Sequence, residues 1–378
     1  MKVLFLSNDP SIFDATSATR RRMRAYAAAI GELHILSRAP QREERQEGGL
    51  YLHGYRPFPT ILGRLLFMRA LVRRARKIIR TYGIEVVSSQ DPFEHGVAAW
   101  QAIQGTPARL HVQVHTDFCS PFFARESRKN ALRVRLADSV LPHASGIRAV
   151  SVRVRRGLLA RYGTRIPDPS VIPLVSGEPL AEPAPHPSPL SNPPFPFTLI
   201  AVGRLEREKR VDDIIRALAL LVRQKYPVGL VVVGDGHERA RLERLARRLH
   251  IFAHVLFLGA RDDILALLSH AHAFVQASAY EGYGRTYSEA ARAHIPMVVT
   301  DAGIVGEVFQ AGESALVCPV GDINCLAREI SRLIEDDALR HQLALVAAAA
   351  IKAQGEDVSL LPRRIAEDLA RAAHAPHA

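Results

Sequence analysis

The chain of 378 residues is 48% hydrophobic, and its length exceeds what one hydrophobic core normally organises, so two domains of ordinary size are expected. No segment approaches the ~18 apolar residues of a membrane span, and the opening apolar run is too short for a signal-peptide core, so membrane insertion and secretion are not expected. Residues 1–185 carry 28 lysines and arginines against 15 acidic residues, a net charge of +13, whereas the rest of the chain carries −1, so the formal +12 of the whole chain comes from its first half. This basic field favours anionic partners.

Short apolar runs alternate with longer amphipathic patterns along the first half, which predicts an α/β fold with parallel sheets covered by helices. The predicted strands are residues 2–6, 33–36, 84–88, 110–115, 147–150 and 170–173. The most regular helical patterns cover residues 18–30, 64–81 and 128–140.

The proline-rich segment 178–196 cannot continue a helix or a sheet interior, so it is predicted to be an interdomain linker. A first domain would therefore cover residues 1–177 and a second domain residues 197–355, with a terminal helix and tail over 356–378. Beyond the linker, strands are predicted at residues 197–202, 228–233, 254–258, 272–276, 296–299 and 315–317, followed by a helical stretch over 323–374.

The pattern over residues 64–81 places seven cations on the polar side of an amphipathic helix. Such a helix packs against a sheet in many α/β proteins, and it also suits contact with an anionic membrane surface. Nucleic acid is the poorest anionic partner, because no recognised binding motif accompanies the charge.

The three cysteines, Cys119, Cys318 and Cys325, have no CxxC spacing and leave an odd one over. This pattern argues against a disulfide framework or a thiolate metal site, and it suits a reducing cytoplasm. No other cluster of His, Cys and carboxylate residues has ligand spacing, so we expect no metal ion.

Two carboxylates, Glu281 and Glu289, stand eight positions apart around a glycine-rich turn. A helix that begins near Thr286 would point its free backbone N–H groups into the preceding loop, where a phosphate or sugar oxygen binds favourably. Gly282 and Gly284 would let the backbone approach that ligand closely. The simpler alternative is one loop glutamate and one solvated helix glutamate.

Arg204 and Lys209 flank a predicted strand-to-helix turn, beyond the carboxyl edge of a sheet where open α/β folds bind ligands. A guanidinium and an ammonium together suit a diphosphate. Gly234 and Gly236 begin a partial glycine fingerprint, but Arg239 occupies the third glycine place, which argues against a nicotinamide cofactor.

His115 ends the predicted strand 110–115, where active-site groups gather, whereas His111 lies deeper in that strand and is expected to be structural. Near the first strand, Ser17 and Thr19 lie at a helix start, where they would either contact a phosphate or simply cap the helix.

The motifs together resemble the retaining GT-B glycosyltransferases of family 4, also called group 1. Residues 201–212 read Ala-Val-Gly-Arg-Leu-Glu-Arg-Glu-Lys-Arg-Val-Asp, and segments 231–236, 255–259, 281–289, 301–307 and 315–322 follow in the family's order. The resemblance is dense over residues 198–345. It is weaker over residues 1–175, where paired glycines of the family's first loop are absent and only the element order and the segment around His115 carry it.

This resemblance implies two Rossmann-like domains with parallel sheets facing across a cleft, and a C-terminal helix that crosses back to the first domain. It implies metal-independent transfer of a sugar, with retention, from a UDP- or GDP-sugar to a glycan or lipid-linked acceptor, and no other cofactor. The implied catalytic residues are His115, Arg204, Lys209 and Glu281. The implied donor-binding residues are Arg204, Lys209, Gly234, Glu281, Gly282, Tyr283, Gly284, Arg285, Thr286 and Glu289.

A role in cell-envelope polysaccharide or glycolipid synthesis would place the protein in the cytoplasm, with peripheral contact at the inner face of the membrane. Two alternative functions fit the same sequence. A nucleotide-sugar epimerase can share the fold but consumes no acceptor, and a degenerate subunit would bind nucleotide-sugar without catalysis.

Overall fold

The computed structural model describes residues 1–39, 41–56, 61–174, 194–355 and 358–375, with the backbone alone at 61–66 and 358. The chain divides into a first unit, Met1–Gly177 with Asp357–Ala378, and a second unit, Glu178–Glu356. The predicted linker lies outside the described residues as far as position 193.

Fourteen strands are described. They are β1 Lys2–Leu6, β2 Glu32–Arg38, β3 Glu44–Glu47, β4 Leu50–Tyr55, β5 Val86–Ser89, β6 Arg109–Val114, β7 Gly146–Ala149, β8 Ser170–Val171, β9 Phe197–Val202, β10 Val228–Val233, β11 Val255–Gly259, β12 Ala273–Gln276, β13 Met297–Thr300 and β14 Leu316–Cys318.

Thirteen α-helices are described. They are α1 Ala18–Ile30, α2 Ile61–Tyr82, α3 Glu94–Ile103, α4 Pro121–Glu126, α5 Arg128–Val140, α6 Val152–Tyr162, α7 Val211–Arg223, α8 Arg239–Arg248, α9 Ile264–Ser269, α10 Arg285–Arg292, α11 Ile323–Glu335, α12 Asp337–Ala353 and α13 Leu361–His374. The predicted helices 18–30 and 128–140 are confirmed at both ends.

The first unit contains an eight-stranded sheet in the order β3-β4-β2-β1-β5-β6-β7-β8. All neighbouring strands are parallel except β3 and β4, which form an antiparallel pair. The strands β3 and β4 were not predicted. The all-polar sequence of β3 has no apolar alternation, because this edge strand exposes most of its side chains.

The terminal helix α13 packs on the first unit. Its residues Leu361, Ile365 and Leu369, spaced by one turn each, are buried in the same core as α1, β1 and β2. Burial of each such side chain contributes roughly 1.5–3 kcal/mol. Asp368 of this helix is also buried and contacts His111 of β6, with 3.0 Å between Oδ2 and Nε2. The Nδ1 of His111 lies 2.9 Å from Ser88 Oγ, so His111 holds structural elements together, as expected.

The second unit contains a fully parallel six-stranded sheet in the order β11-β10-β9-β12-β13-β14. The chain proceeds outward from β9 through β10 and β11, and then returns to the other side of β9 at β12. This order makes the gap between β9 and β12 a topological switch point, where the loops at the carboxyl ends of the strands diverge and leave a crevice. Buried Ile214, Ile215, Leu218 and Leu221 of α7 cover one face of this sheet.

Cys318 and Cys325 form a disulfide, so the expectation that cysteine pairing is absent was wrong for this pair. Cys318 ends β14 and Cys325 lies in the first turn of α11, and the tight strand-to-helix turn leaves their Cα atoms 5.8 Å apart. Asp322 caps α11 by accepting a hydrogen bond from the backbone N–H of Cys325 at 2.8 Å. Cys119 is not in a disulfide, and burial raises the pKa of its thiol to about 12.

Within the described residues, the helices lack the combination of length and hydropathy that crossing a bilayer would need.

Candidate active site

The switch point of the second unit brings together two residues that are 72 positions apart in sequence. Lys209 follows β9 and Glu281 follows β12, and these two strands are neighbours in the sheet. Both side chains are mostly buried, with exposed fractions of 17% for Lys209 and 12% for Glu281, and they form an ion pair through Lys209 Nζ and Glu281 Oε1. The structure therefore unites the cation and the carboxylate that the sequence singled out separately.

Two neutral side chains complete the surroundings of Glu281. Gln276 Nε2 donates to Glu281 Oε1 at 2.6 Å, and Ser278 Oγ donates to the same oxygen at 2.9 Å. Among the described residues no donor is recorded for Oε2, so this oxygen is available to a ligand hydroxyl. Three donors on one oxygen fix the carboxylate in a single orientation.

The polar cluster extends into helix α10. Thr286 Oγ1 donates to Gln276 Oε1 at 2.6 Å, which ties the first turn of α10 to the end of β12. Gly284, with φ of 87°, precedes the helix, and a Cβ atom there would lie 2.4 Å from Tyr287 Cδ2. Only glycine fits this turn, and the turn sets the direction in which the first N–H groups of α10 point.

Arg204 is much less constrained than Lys209. Its side chain is 78% exposed and contacts Glu208 at 3.4 Å. An exposed ion pair of this length contributes little stability, so Arg204 can move to an anion at small cost. Glu289 in α10 has a comparable contact, with 3.5 Å to Arg285 Nη2, and its side chain is 17% exposed.

The glycines that follow β9 and β10 pack against each other. A Cβ atom on Gly234, where φ is 133°, would lie 1.9 Å from the carbonyl oxygen of Gly203. Gly234 is thus required for close packing of two loops beside Lys209. Tyr283 is buried, with an exposed fraction of 5%, and its backbone carbonyl accepts from Ile304 N–H at 3.0 Å, so this residue shapes the loop chiefly through packing.

His115 lies in the first unit, one residue beyond β6. Its Nε2 is buried without a hydrogen-bond partner among the described residues. Burial, reinforced by the nearby charge of Arg148, lowers the pKa of His115 to about 3, so its imidazole is neutral at ordinary pH. A buried ring nitrogen without a partner is available to hydrogen-bond a ligand.

Ser17 and Thr19 have partners within their own loop. Ser17 caps α1 by accepting from Arg20 N–H at 3.0 Å and donates to the carbonyl oxygen of Ser11 at 2.7 Å. Thr19 donates to Asp9 Oδ2 at 3.1 Å. These contacts are those of the simple capping alternative, and a phosphate contact stays a prediction.

Gln276 and Ser278 were not among the predicted site residues. The sequence does contain a pattern that indicates them, because Gln276 ends an apolar strand and Ser278 follows it closely. That strand lies beside β9, and polar residues at such positions line the crevice of an open α/β sheet. Within the described residues no group of three or more His, Cys, Asp and Glu side chains is arranged to hold a metal ion.

Comparison with known proteins agrees with both halves of this architecture. Residues 17–174 match the family model described as Glycosyltransferase Family 4, and residues 188–348 match the model described as Glycosyl transferases group 1. The N-acetyl-alpha-D-glucosaminyl L-malate synthase of Bacillus anthracis is 32% identical over 145 residues, which is 38% of each chain. The glycogen synthase of Mycobacterium tuberculosis is 35% identical over 154 residues, 40% of this chain and 37% of that enzyme. The aligned part thus spans less than two fifths of these relatives.

Solved structures resemble the whole chain. Sucrose-phosphate synthase from Thermosynechococcus elongatus superposes with a TM-score of 0.81 at 19% identity, over 98% of this chain and 100% of that one. HepE from Anabaena, solved in complex with UDP and glucose, superposes with a TM-score of 0.73 at 23% identity, over 98% of this chain and 99% of that one. At these identities the likeness shows the fold. With a family 4 domain followed by a group 1 domain, each built on a Rossmann-like sheet, the chain belongs to the GT-B glycosyltransferases of family 4.

Proposed function

We propose that this protein transfers a sugar, with retention and without a metal ion, from a UDP- or GDP-sugar to a glycan or lipid-linked acceptor. The observation that carries the proposal is the Lys209–Glu281 pair at the switch point of the second sheet, with Gln276 and Ser278 on the same carboxylate oxygen. The family membership and the names of the aligned relatives support it.

In the proposed reaction, the bond between the anomeric carbon and the diphosphate breaks, and negative charge grows on the departing diphosphate. Lys209 and Arg204 lie where they can neutralise that charge, which is the task a divalent cation performs in other enzymes. Lys209 is held in place by Glu281, whereas exposed Arg204 closes on the diphosphate from the surface.

The carboxylates bind the neutral parts of the donor. Glu281 Oε2 accepts a hydrogen bond from a sugar hydroxyl, and Glu289 accepts from the ribose. The backbone of residues 282–286 approaches the sugar and the phosphates, as the glycines there allow. His115, neutral at working pH, hydrogen-bonds the donor sugar rather than removing a proton, because an imidazole with a pKa near 3 is a weak base.

We further propose that the acceptor is part of a cell-envelope polysaccharide or glycolipid, and that the enzyme works in the cytoplasm at the inner face of the membrane. The uneven charge supports this placement, since the cations of residues 1–185 suit an anionic surface.

Calorimetry with UDP, GDP and a panel of their sugars tests the donor site. We expect one nucleotide-sugar to bind and its nucleoside diphosphate to be released in step with glycosylation of an acceptor. Lys209→Met should weaken binding of the diphosphate about thirtyfold, because a charge-assisted contact is lost. Arg223→Met is the matched control, since this exposed cation ends α7 roughly 18 Å along the helix from Val211.

Each alternative has its own outcome. Interconversion of two sugar nucleotides without release of diphosphate would replace the proposal with an epimerase. Binding without turnover in the presence of envelope acceptors would replace it with a binding subunit. Binding by Lys209→Met equal to that of Arg223→Met would remove Lys209 from the site.

A further inference from the structure

A cavity of about 500 Å³ lies on the first unit against helix α2. Five cations line it: Arg42 after β2, Arg56 after β4, and Arg73, Arg74 and Lys77 on α2. Among the described residues that line it, none is acidic. We call this the basic cavity. Its volume lies in the range of pockets that hold small organic ligands.

The floor of the basic cavity is apolar. The rings of Tyr55 and Phe67 pack with their centroids 5.2 Å apart, and Leu71 lies one helical turn beyond Phe67. Tyr55 and Leu71 are 8% and 4% exposed. Burial raises the pKa of Tyr55 to about 12, so its hydroxyl is neutral. The cavity therefore presents cations around an uncharged hydrocarbon surface.

Most of these cations have no recorded carboxylate partner within the part of the chain that the structure describes. Arg74 is anchored by Glu44, with 2.6 Å between Nη2 and Oε1. Across the described residues, no ion pair is recorded for Arg42, Arg56, Arg73 or Lys77. Four like charges around one cavity repel each other, and an anion of two or three charges would relieve that repulsion. Elsewhere in the first unit, Arg133, Arg155 and Arg161 are examples of cations that each have a carboxylate partner.

We propose that the basic cavity binds the phosphate or diphosphate head of a lipid, with the first carbons of its chain on Tyr55, Phe67 and Leu71. Arginine and lysine together supply several donors for phosphate oxygens, and the aromatic floor supplies the contact that a free phosphate could not use. The assignment of the cavity as the binding site of a lipid-linked acceptor depends on the proposed glycosyl transfer. Its assignment as a lipid-phosphate site depends only on the residues that line it.

Calorimetry with farnesyl diphosphate and with inorganic diphosphate tests the ligand class. Farnesyl diphosphate should bind the full chain at least tenfold more tightly than inorganic diphosphate, because only the lipid uses the apolar floor. Equal affinities would overturn the lipid assignment and leave an anion site. No binding of farnesyl diphosphate would overturn the proposal altogether.

A matched pair of variants on α2 tests the site. Arg73→Gln with Lys77→Gln removes two charges from the cavity, and Arg69→Gln with Arg80→Gln removes two exposed charges from the same helix outside it. The cavity variant should lose farnesyl diphosphate affinity about thirtyfold and the control less than threefold. Equal losses would show a general basic field rather than a site. Unchanged melting temperatures establish that both variants are folded.

Two further measurements separate this proposal from the donor chemistry. Flotation compares phosphatidylcholine vesicles that carry polyprenyl phosphate with vesicles of equal charge that carry phosphatidylglycerol. The first lipid ends in a phosphate monoester and the second holds its phosphate as a diester, so the comparison distinguishes recognition of a terminal phosphate from attraction to surface charge. Equal binding to both would overturn the proposal. Nucleotide-sugar binding should be the same in the cavity variant and the native chain. Lipid binding without any nucleotide-sugar binding would retain the cavity and reject the proposed transfer.

Discussion

Replacement of Glu281 by Gln should separate two roles of the Lys209–Glu281 pair. Glutamine keeps the shape and an acceptor oxygen for Gln276 and Ser278, but it removes the charge that Lys209 contacts. No carboxylate then offsets the charge of the Lys209 ammonium, so its full charge attracts the diphosphate. We therefore expect Glu281→Gln to bind free nucleoside diphosphate at least as tightly as the native chain, while its kcat for sugar transfer falls.

The magnitude follows from the burial of the pair. Removal of one partner from a fully buried ion pair costs about 3–5 kcal/mol of unfolding free energy. Here both groups retain some solvent contact, and Glu281 keeps two neutral donors when Lys209 is replaced. We accordingly expect Lys209→Met to lower the unfolding free energy by about 1–2 kcal/mol and to weaken diphosphate binding by about 2 kcal/mol, or thirtyfold.

A double-mutant cycle on Lys209→Met and Glu281→Gln measures the coupling directly. Urea unfolding of the four proteins should give a coupling energy of about 1 kcal/mol, and calorimetry with nucleoside diphosphate should show opposite signs for the two single variants. Additive effects on stability would mean that the pair does not form in solution. A large loss of diphosphate affinity in Glu281→Gln would refute the reasoning, because it would show that the carboxylate itself supports the anion.

Three other predictions concern the same chemistry. Glu289→Gln should mainly raise the KM for the donor, because hydrogen bonds to ribose act equally in the ground and transition states, whereas Glu281→Gln should mainly lower kcat; equal effects would remove this distinction. EDTA should leave transferase activity near its full rate, and loss that magnesium or manganese restores would show different handling of the diphosphate. The pKa of His115 is about 3 in the folded protein and 6.5 in the unfolded chain. Its contribution to stability is therefore complete above pH 6.5 and is lost as the pH falls toward 3. At pH 5 the loss is at most about 2 kcal/mol, and His115→Leu should show a correspondingly smaller fall of Tm between pH 7.5 and 5.

The apolar strands and the most regular helices were predictable because each buries a face with a fixed period. Helix α1 illustrates the point, since Met23, Tyr26, Ala27 and Ile30 recur at helical spacing and Ser17 caps the start. Strand β3 was not predictable in this way. Its four polar residues are fixed by antiparallel pairing with β4, and that pairing leaves no apolar pattern in β3 itself.

The boundary between α11 and α12 also escaped prediction. Asp336 ends α11 with a φ of −122° and caps α12 by accepting from Leu339 N–H at 2.9 Å, so one residue serves both helices. Its neighbours keep a helical composition on either side, and the interruption is visible only in the backbone. The Cys318–Cys325 pair was missed for a related reason, because a seven-residue separation becomes a short distance only when a tight turn folds it back.

The candidate site was predictable as separate motifs, but its connections were not. Sequence spacing indicated cations near residue 204 and carboxylates near residue 281, and only the strand order places β9 beside β12. That neighbourhood depends on where the chain returns after β11, which no local pattern encodes. The Lys209–Glu281 ion pair joins the two motifs, and Gln276 ties the second motif to helix α10, since its amide contacts Glu281 on one side and Thr286 on the other.

The cations of the two proposed phosphate sites, the Lys209–Glu281 site and the basic cavity, differ in whether they already have carboxylate partners. In the second unit each cation already has a carboxylate partner, Lys209 with Glu281 and Arg204 with Glu208, so a diphosphate exchanges one anionic partner for another. Such exchange costs less desolvation than pairing a fully hydrated ammonium, and it lets the enzyme release its product when the carboxylate returns. In the basic cavity only Arg74 has a carboxylate partner among the described residues, so little competes there with an arriving anion for Arg42, Arg56, Arg73 and Lys77. The first arrangement favours turnover of a leaving group, and the second favours retention of a bound one.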